Sequence, residues 1–343
     1  MRGIRLSVCI PTHNYGRFIG ETLESIVCQA SEEVEIVVLD GASTDNTNDV
    51  VEGFQRVFPR LRYYRQDFKG GIDRDIEKVV SLAHGKYCWL FSADDIMVPG
   101  AIEKVLEAMK SNHDVYLCEH DLSDLTMNFI MEYPIFKNLR IPKLFNLGDA
   151  SQRKTYFQSA KTSEAFFSFL SGPIFKKEIW DCADIPESFR GTCWIVAGHL
   201  LTMIPKGFTV NYLAETLLHK REGNDSFSMG SFVNRQRITI ENFQHVSNFV
   251  FGERSEEAFH IRRVLHLDSP FLSLIYAKLK VGLNPEAEDI NVLNRIVKMH
   301  YADPNFGNWM KLALYKTTHP VALKAAYRFK KLWEKIQARD KRF

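Results

Sequence analysis

Two adjacent aspartates, Asp94 and Asp95, directly follow an apolar run in the segment YCWLFSADDIMVPG. The apolar run, Tyr87 to Phe91, is typical of a buried β-strand. Neighbouring carboxylates repel each other, so they need a compensating partner. A helix N-terminus attracts acidic residues, but one aspartate would be enough for that purpose. We favour a divalent cation, because Mg²⁺ and Mn²⁺ bind carboxylate oxygens together with the oxygens of a phosphate.

Short apolar runs alternate with helical patterns before these aspartates, and this alternation indicates the fold. The apolar runs lie at residues 6–10, 34–39, 61–64 and 87–91, and the helical patterns lie at 18–29, 50–57 and 72–83. Continuous apolar runs are typical of strands that are covered on both faces. The sequence therefore predicts an α/β fold, with a parallel sheet and helices on both of its faces. We also interpret Gly85 as a left-handed cap that ends the third helix.

Polar residues stand at the end of three of these predicted strands. The three segments are Pro11-Thr12-His13-Asn14, Asp40-Gly41-Ala42-Ser43 and Ser92-Ala93-Asp94-Asp95. In open parallel sheets, ligands bind outside the carboxyl ends of the strands. We therefore expect the three segments to crowd one edge of the sheet and to form a single binding site.

The composition indicates a soluble globular protein. Of the 343 residues, 45% are hydrophobic and 25% are charged, which fits one large domain with an appendage. The six cysteines are scattered without metal-ligand spacing, so we interpret them as reduced thiols of a cytoplasmic protein. We expect neither a signal peptide nor a membrane span, because no apolar stretch reaches about 18 residues.

The C-terminal segment carries an excess of positive charge. Residues 311–343 contain ten Lys or Arg and two Asp or Glu, a net charge of +8 against −6 for the remainder. Aromatic and aliphatic residues alternate with these basic residues between Tyr327 and Ile336. A basic amphipathic helix of this type is expected to bind a membrane surface, and a solvated helix face is the alternative. We divide the chain into residues 1–232 and a helical region, 233–343, and we expect no nucleic-acid partner.

Three segments together resemble the family 2 glycosyltransferases, which have a GT-A fold. They are LSVCIPTHNYGRFIGETLESIVCQ, VEIVVLDGASTDNT and AHGKYCWLFSADD, and the likeness covers residues 5–110, and 160–230 more loosely. The resemblance implies a mostly parallel twisted sheet with helices on both faces and a helical C-terminal extension. It also implies inverting transfer of a sugar from a nucleotide-sugar donor to an acceptor hydroxyl. The implied acceptor is a lipid-linked saccharide at the inner face of the cytoplasmic membrane. Bacterial O-antigen synthesis, with its abequosyltransferase-like enzymes, is the implied setting.

The same resemblance implies roles for individual residues. Asp94 and Asp95 would hold Mg²⁺ or Mn²⁺ on the donor diphosphate, with His219 as a further metal ligand. His219 begins a polar stretch, 219–232, that is expected to form a loop over the donor. The residues expected to contact the nucleotide sugar are Pro11, Thr12, Asn14, Asp40, Gly41, Asp73, Arg74, Ser92, Ala93, Asp94, Arg221 and Asn224. For Asp73, an acid that simply begins a helix is the alternative.

Two positions depart from the family pattern. Ser92 stands where the first acid of the metal motif is usual, which leaves fewer negative charges for a metal ion. Gly41 stands where a second acid is usual after the second strand. In uridine-using relatives an acid near that position accepts the N3–H group of uracil, whereas cytosine has an acceptor at N3. The glycine therefore favours a CDP-linked donor.

The catalytic base has no clear acidic match. The segment TCWIVAGH stands at its expected place, about one hundred residues after the metal motif, and we assign the role to His199 because histidine titrates near neutral pH. A histidine packed on an apolar helix is the alternative, and Asp181, Asp184 and Glu187 are then the candidates for the base. Two other functions stay open, a non-catalytic nucleotide-sugar-binding protein and a sugar-phosphate nucleotidyltransferase. The second would need a glycine-rich loop where PTHNYGRF stands.

Overall fold

A computed structural model describes residues 3–224, 231–283 and 289–318 of the chain. The first four strands are the apolar runs of the sequence, namely β1 (Leu6–Thr12), β2 (Val34–Asp40), β3 (Leu61–Arg65) and β4 (Tyr87–Leu90). They lie in the order β3-β2-β1-β4, and each neighbouring pair is parallel. Every residue of β1 and β2 is buried, as expected for strands that are covered on both faces.

Three helices connect these strands, because apolar residues recur in them at helical spacing. The helices are α1 (Ile19–Val27), α2 (Thr47–Val57) and α3 (Ile72–Ser81). Ile19, Leu23 and Ile26 form one buried stripe of α1 and share a hydrophobic core with β1 and β2. The predicted alternation of strands and helices in this part of the chain is confirmed.

The rest of the sheet mixes parallel and antiparallel pairs. Its strands are β5 (Ile96–Met97), β6 (Val115–Ser123), β7 (Phe129–Tyr133), β8 (Lys143–Asn146), β9 (Pro173–Lys176) and β10 (Thr209–Arg221). From β4 the order continues through β9, β6 and β10 to β5, with β7 on β6 and β8 on β10. Strands β6 and β10 are parallel, whereas β9 is antiparallel to β4 and β6. The α/β fold class is confirmed.

The remaining helices divide between two compact units. Helices α4 (Ala101–Ala108), α5 (Ala150–Ser159), α6 (Lys177–Asp181) and α7 (Ile195–Met203) belong to the unit that contains the sheet. That unit extends to Asn224 and also includes Val246–Val264, and the second unit takes the described residues up to His245 and from Leu265 onward. The predicted division of the chain at residue 232 stays a prediction.

The C-terminal region is helical, as predicted. It contains α8 (Phe232–Gln236), a π-helical turn (Arg237–Asn242), α9 (Phe243–Phe251), α10 (Glu256–Asp268), α11 (Phe271–Leu283), α12 (Ile290–His300) and α13 (Phe306–Thr317). Over the described ranges, no helix is both long enough and apolar enough to cross a bilayer. The basic helix that the sequence predicts between Tyr327 and Ile336 lies outside the described residues.

Two local predictions are wrong. Residues 219–221 are not part of a loop, because they continue β10 and pair with β6. Gly85 is not a left-handed cap, because α3 ends at Ser81 and Gly85 has no positive φ. Glycine is required at position 85 for another reason, which is close approach to β1. A Cβ atom there would lie 2.6 Å from the backbone nitrogen of Ser7 and 2.9 Å from the backbone carbon of Leu6.

We expect Gly85→Ala to destabilise the protein by roughly 1–3 kcal/mol, because backbone atoms of β1 cannot move away from the new methyl group without strain. Gly53→Ala is the matched control, since a Cβ at this exposed position of α2 meets no atom within 4 Å. In a helix interior this control substitution is expected to stabilise by roughly 0.5–1 kcal/mol. Urea unfolding of both variants measures the difference, and equal stabilities would contradict the close approach.

Candidate active site

The polar ends of β1 and β2 meet at one edge of the sheet. The backbone N–H of Gly41 donates to the carbonyl of Thr12 at 2.9 Å, and Nδ1 of His13 donates to the carbonyl of Gly41 at 2.8 Å. The backbone N–H of Asn14 donates to the hydroxyl of Ser43 at 2.8 Å. Because β4 lies on the other side of β1, the third polar segment continues the same edge. Pro11 and Ala93, which lie in the first and third polar segments, are buried.

Asp94 lies just beyond β4 with both carboxylate oxygens engaged. One oxygen accepts a hydrogen bond from the hydroxyl of Ser92, and the other accepts one from the side-chain amide of Asn224. Only 6% of Asp94 is exposed. The structure therefore brings together three of the residues that the sequence assigns to the nucleotide sugar.

Asp95 is more deeply buried than its neighbour and is held by two donors. Its carboxylate accepts from the hydroxyl of Ser171 at 3.0 Å and from the backbone N–H of Arg221 at 3.1 Å. Burial, together with the charge of Asp94, raises the pKa of Asp95 to about 7. The repulsion that the adjacent aspartates imply in the sequence is thus present in the folded protein.

Arg221 fixes the backbone around the two aspartates. Its Nε donates to the carbonyl of Asp94 at 2.8 Å, Nη1 donates to the carbonyl of Leu125 at 2.5 Å, and Nη2 donates to the carboxylate of Glu21 at 2.6 Å. The guanidinium also lies 4.8 Å from the ring centre of Phe18. All three nitrogens therefore donate within the protein, and the contact of Arg221 with the donor diphosphate stays a prediction.

His219 lies on β10, and its nearest acidic neighbour is not one of the two aspartates proposed to bind the metal. Its Nδ1 is 3.6 Å from a carboxylate oxygen of Asp121, which faces it from β6. Within the described residues, no group of three or more His, Cys, Asp or Glu side chains is arranged to hold a metal ion. The structure thus does not gather Asp94, Asp95 and His219 into one ligand set. A metal at the two aspartates stays a prediction.

Asp40 holds the turn after β2 and has no exposed surface. Its Oδ1 accepts from the backbone N–H of Ser43 at 2.7 Å, and its Oδ2 accepts from the hydroxyl of Tyr63 at 2.6 Å. Arg65 lies 3.8 Å from the same Oδ2. The side chain of Asp40 therefore shapes the edge of the site, and its contact with the donor stays a prediction.

Asp73, at the beginning of α3, binds the segment that leads into α7 and the first residue of that helix. Its carboxylate accepts hydrogen bonds of 2.7–3.3 Å from three backbone N–H groups, those of Gly191, Cys193 and Ile195. Burial raises the pKa of Asp73 in spite of these donors. The neighbouring Arg74 is two-thirds exposed and pairs with Glu187 at 3.1 Å. The structure thus gives both residues partners in the protein, and their contact with base or ribose stays a prediction.

His199 lies in the interior of α7 and is 5% exposed. Its ring stacks on Trp180 with 3.6 Å between centroids, and Nδ1 donates to the carbonyl of Trp180 at 3.2 Å. Its Nε2 is 3.6 Å from a carboxylate oxygen of Glu77. Burial lowers the pKa of His199, and Glu77 opposes this shift. The role of His199 as base stays a prediction.

Three residues of this site carry no clear signal in the sequence. Ser171 supports Asp95, and Glu21 neutralises Arg221, but each looks like an ordinary polar residue of a turn or a helix surface. Asp75 reaches the end of β2 from α3. The closeness of Asp75 to Asp73 in the segment GIDRDIEK was the available hint, since one acid is enough to begin a helix.

Comparison with known proteins shows what the chain resembles. Residues 7–169, just under half of the chain, match the model of glycosyl transferase family 2. The abequosyltransferase RfbV of Salmonella typhimurium is 28% identical over 83% of this chain and 87% of its own length. A GalNAc(5)-diNAcBac-PP-undecaprenol beta-1,3-glucosyltransferase of Campylobacter jejuni is 27% identical over 56% of this chain and 59% of its own length.

Two solved structures share the fold. TarS 1–349 of S. aureus, in complex with UDP-GlcNAc, matches with a TM-score of 0.62 over 95% of this chain and 92% of its own. The mannosyltransferase PcManGT of Pyrobaculum calidifontis, in complex with GDP-Man and Mn²⁺, matches with a TM-score of 0.52 over 98% of this chain and 85% of its own. Both are 16% identical to this chain. At that identity the likeness concerns the fold alone.

We expect the stability of the metal-free protein to fall between about pH 4 and pH 7 through Asp95. In this window the carboxyl is protonated in the folded state and ionised in the unfolded state, so the folded state binds more protons. The contribution of Asp95 to the free energy of unfolding is complete below about pH 4 and is lost as the pH rises through about 7. Asp95→Asn lacks this titration, because its amide stays neutral at every pH.

Unfolding in EDTA at pH 5 and pH 8 tests this expectation. Relative to Asp95→Asn, the wild type should lose stability on the order of 2–4 kcal/mol between the two pH values. Asp49→Asn, which removes an exposed carboxylate of α2, should follow the wild type. An equal difference between wild type and Asp95→Asn at both pH values would show that Asp95 does not titrate in this range.

Proposed function

We propose that this glycosyltransferase moves a sugar from a nucleotide-sugar donor to a hydroxyl group of a saccharide acceptor, with inversion at the anomeric carbon. Synthesis of bacterial surface polysaccharide is the proposed setting. The observation that carries the proposal is the Asp94–Asp95 pair at the carboxyl edge of a family 2 domain. This edge is where α/β sheets bind their ligands, and paired carboxylates suit the meeting point of a cation and a diphosphate.

Mg²⁺ or Mn²⁺ is the cation that we propose for this site. Asp94 would hold it, and Asp95 would support the arrangement. The residues fit a cation, because the charge of Asp94 adds to burial in raising the pKa of Asp95 and, among the described residues, no basic side chain bonds either carboxylate. Mg²⁺ typically takes one or two protein carboxylates and completes its shell with water and substrate phosphates. When bound, the cation stabilises the negative charge of the departing diphosphate.

The reaction needs a base as well as a site for the leaving group. The acceptor oxygen forms a bond to the anomeric carbon while the bond from that carbon to the diphosphate oxygen breaks, and the acceptor proton passes to the base. We propose His199 for this role from its place in the sequence. Because Nδ1 of His199 already donates to Trp180, the proton would be taken by Nε2. That atom has to become accessible to the acceptor first, since the ring is buried.

The relatives support finer parts of the proposal. The likeness to an abequosyltransferase supports a deoxyhexose as the transferred sugar. The likeness to an enzyme that is named for an undecaprenol-linked saccharide supports a lipid-linked acceptor. The CDP-linked donor that Gly41 favours has weaker support, because a carboxylate oxygen of Asp75 lies beside that glycine.

We expect Asp94→Asn to abolish the part of nucleotide binding that depends on Mn²⁺. The wild type should be stabilised more by a nucleoside diphosphate with Mn²⁺ than by the nucleotide alone, because the ion links Asp94 to the phosphates. UDP, CDP, GDP and dTDP are compared by thermal unfolding, and Asp49→Asn is the matched control. Hydrolysis of the corresponding nucleotide sugar should fall at least 100-fold in Asp94→Asn.

Two results would contradict the proposal in different ways. A full Mn²⁺-dependent shift in Asp94→Asn would place the cation elsewhere. Nucleotide binding by the wild type without hydrolysis or transfer, with and without Mn²⁺, would favour the non-catalytic binding protein over the enzyme.

We propose further that this enzyme associates peripherally with the inner face of the cytoplasmic membrane. Helix α13 supports this, because its outward side carries a stripe of large apolar residues that are 50–72% exposed, namely Phe306, Trp309, Met310 and Leu314. The opposite side is fixed by Tyr315, whose hydroxyl donates to Asn294 at 3.0 Å. Aromatic residues beside basic ones favour the interface of an anionic bilayer, and residues 311–343 carry a net charge of +8.

We expect Phe306→Ala/Trp309→Ala to weaken binding to vesicles of anionic phospholipid at least tenfold, because two apolar side chains no longer enter the bilayer interface. Phe68→Ala, which removes an equally exposed ring from the other compact unit, is the control. Co-sedimentation with phosphatidylglycerol and with phosphatidylcholine vesicles measures the effect. Unchanged vesicle binding by the double variant would contradict the proposal. If the double variant binds vesicles normally but no longer forms dimers that the wild type forms, the stripe serves self-association.

A further inference from the structure

The space beside Gly41 is filled by a carboxylate from another element. A Cβ atom at position 41 would lie 3.0 Å from Oδ2 of Asp75 and 3.6 Å from the carbonyl oxygen of Thr12. Asp75 comes from the first turn of α3 and is 5% exposed. The end of β2 therefore has an acid next to it, although its own residue 41 has no side chain.

The two carboxylate oxygens of Asp75 differ in their surroundings. Oδ1 accepts a hydrogen bond of 2.6 Å from the side-chain amide of Gln66, and a Cβ at Gly70 would lie only 2.7 Å from this oxygen. Oδ2 is the atom that lies beside Gly41, and it accepts no hydrogen bond from the part of the chain that the structure describes. Asp75 is therefore held by one oxygen and presents the other at the edge of the sheet.

A second polar group at the same place has no partner. The hydroxyl of Thr12 is buried without a hydrogen bond, and Thr12 pairs directly with Asp40 across β1 and β2. A buried polar atom that is left unpaired destabilises a protein by about 1–3 kcal/mol. The hydroxyl of Thr12 thus adds an unsatisfied polar group to the edge at which Asp75 presents Oδ2.

We propose that Asp75 reads the pyrimidine base of the nucleotide-sugar donor, by accepting a ring-edge N–H group at Oδ2. The inference rests on the proposed function, which places a nucleotide at this edge. Uracil offers N3–H, and cytosine offers the amino group at C4, the contact that carboxylates also make to cytosine in DNA. Strands β2 and β4 are separated by β1, so their ends lie about 10 Å apart, which leaves room for a nucleoside between Asp75 and Asp94.

This role changes what Gly41 implies. From the sequence alone, glycine at this position removes the acid that accepts the N3–H of uracil. In the structure the glycine makes room for Asp75, because any side chain at position 41 would press against Oδ2. The edge thus retains a base-reading acid that is supplied by α3, and the choice between uridine and cytidine depends on Asp75 and its neighbours.

Asp75→Asn is the most informative variant, because it exchanges an acceptor for a donor when Gln66 keeps its orientation. With Nε2 of Gln66 donating as it does to Asp75, the amide oxygen accepts from Gln66, and the NH₂ group replaces Oδ2 and faces the base with a donor. We expect UDP affinity to fall roughly tenfold to a hundredfold if uracil is read, and CDP affinity to fall less, since cytosine N3 can accept from the amide. In Asp75→Ala the affinity for whichever pyrimidine nucleotide binds best should fall at least tenfold.

Calorimetric titration with UDP, CDP and GDP in the presence of Mn²⁺ measures these affinities. Gly41→Ala should reproduce the loss with Asp75 intact, and it keeps the test open if an Asp75 variant does not fold. Asp49→Asn is the control. Affinities within twofold of the wild type in Asp75→Asn and Asp75→Ala would overturn the inference and leave the proposed function standing. A wild-type protein that binds none of the nucleotides would overturn the proposed function itself.

Discussion

The candidate active site depends on the hydrogen bonds that Arg221 makes to the two aspartates. Two like charges buried at a strand end need a fixed backbone around them. Arg221 bonds the carbonyl of Asp94 through Nε and the carboxylate of Asp95 through its own backbone N–H, and Glu21 neutralises its charge. Arg221 and Asp95 are 126 positions apart in the sequence. The aspartate pair is therefore in place only when β10 has joined the sheet and α1 has packed beside it.

The parallel half of the sheet was predictable, because its strands are continuous apolar runs with helical patterns between them. Other parts of the sheet were not, for physical reasons that differ between elements. Strand β5 has two residues, which is too short for any period, and β7 exposes Phe129, Ile130 and Met131. The end of β10 is polar in sequence, yet its neighbours β6 and Asp95 satisfy its backbone. Backbone groups that are hydrogen-bonded by residues distant in the sequence leave no local sequence pattern from which the strand could be predicted.

The same distinction separates the predictable from the unpredictable parts of the site. The position of Asp94 and Asp95 follows from local sequence, because a strand end fixes where the next residues lie. The partners of Asp73, Arg221 and His199 do not, since each bonds a residue from a distant element. The carboxylate of Asp73, for instance, accepts hydrogen bonds from backbone N–H groups of the segment before α7. A charged residue type indicates what a side chain can bind, and only the fold decides which partner it meets.

A shared fold leaves the chemistry of its ligand edge to the side chains that meet there. Gly41 and Ser92 stand where acidic residues are usual in the family. Considered one position at a time, each of them removes a negative charge from the site. In three dimensions the edge retains Asp75 at one end and Asp94 at the other, while Ser92 donates a hydrogen bond to Asp94. Fewer carboxylates then oppose an anionic diphosphate, since like charges about 4 Å apart repel even near a protein surface. Replacing acids by neutral groups is thus compatible with donor binding, provided that one carboxylate remains at each end.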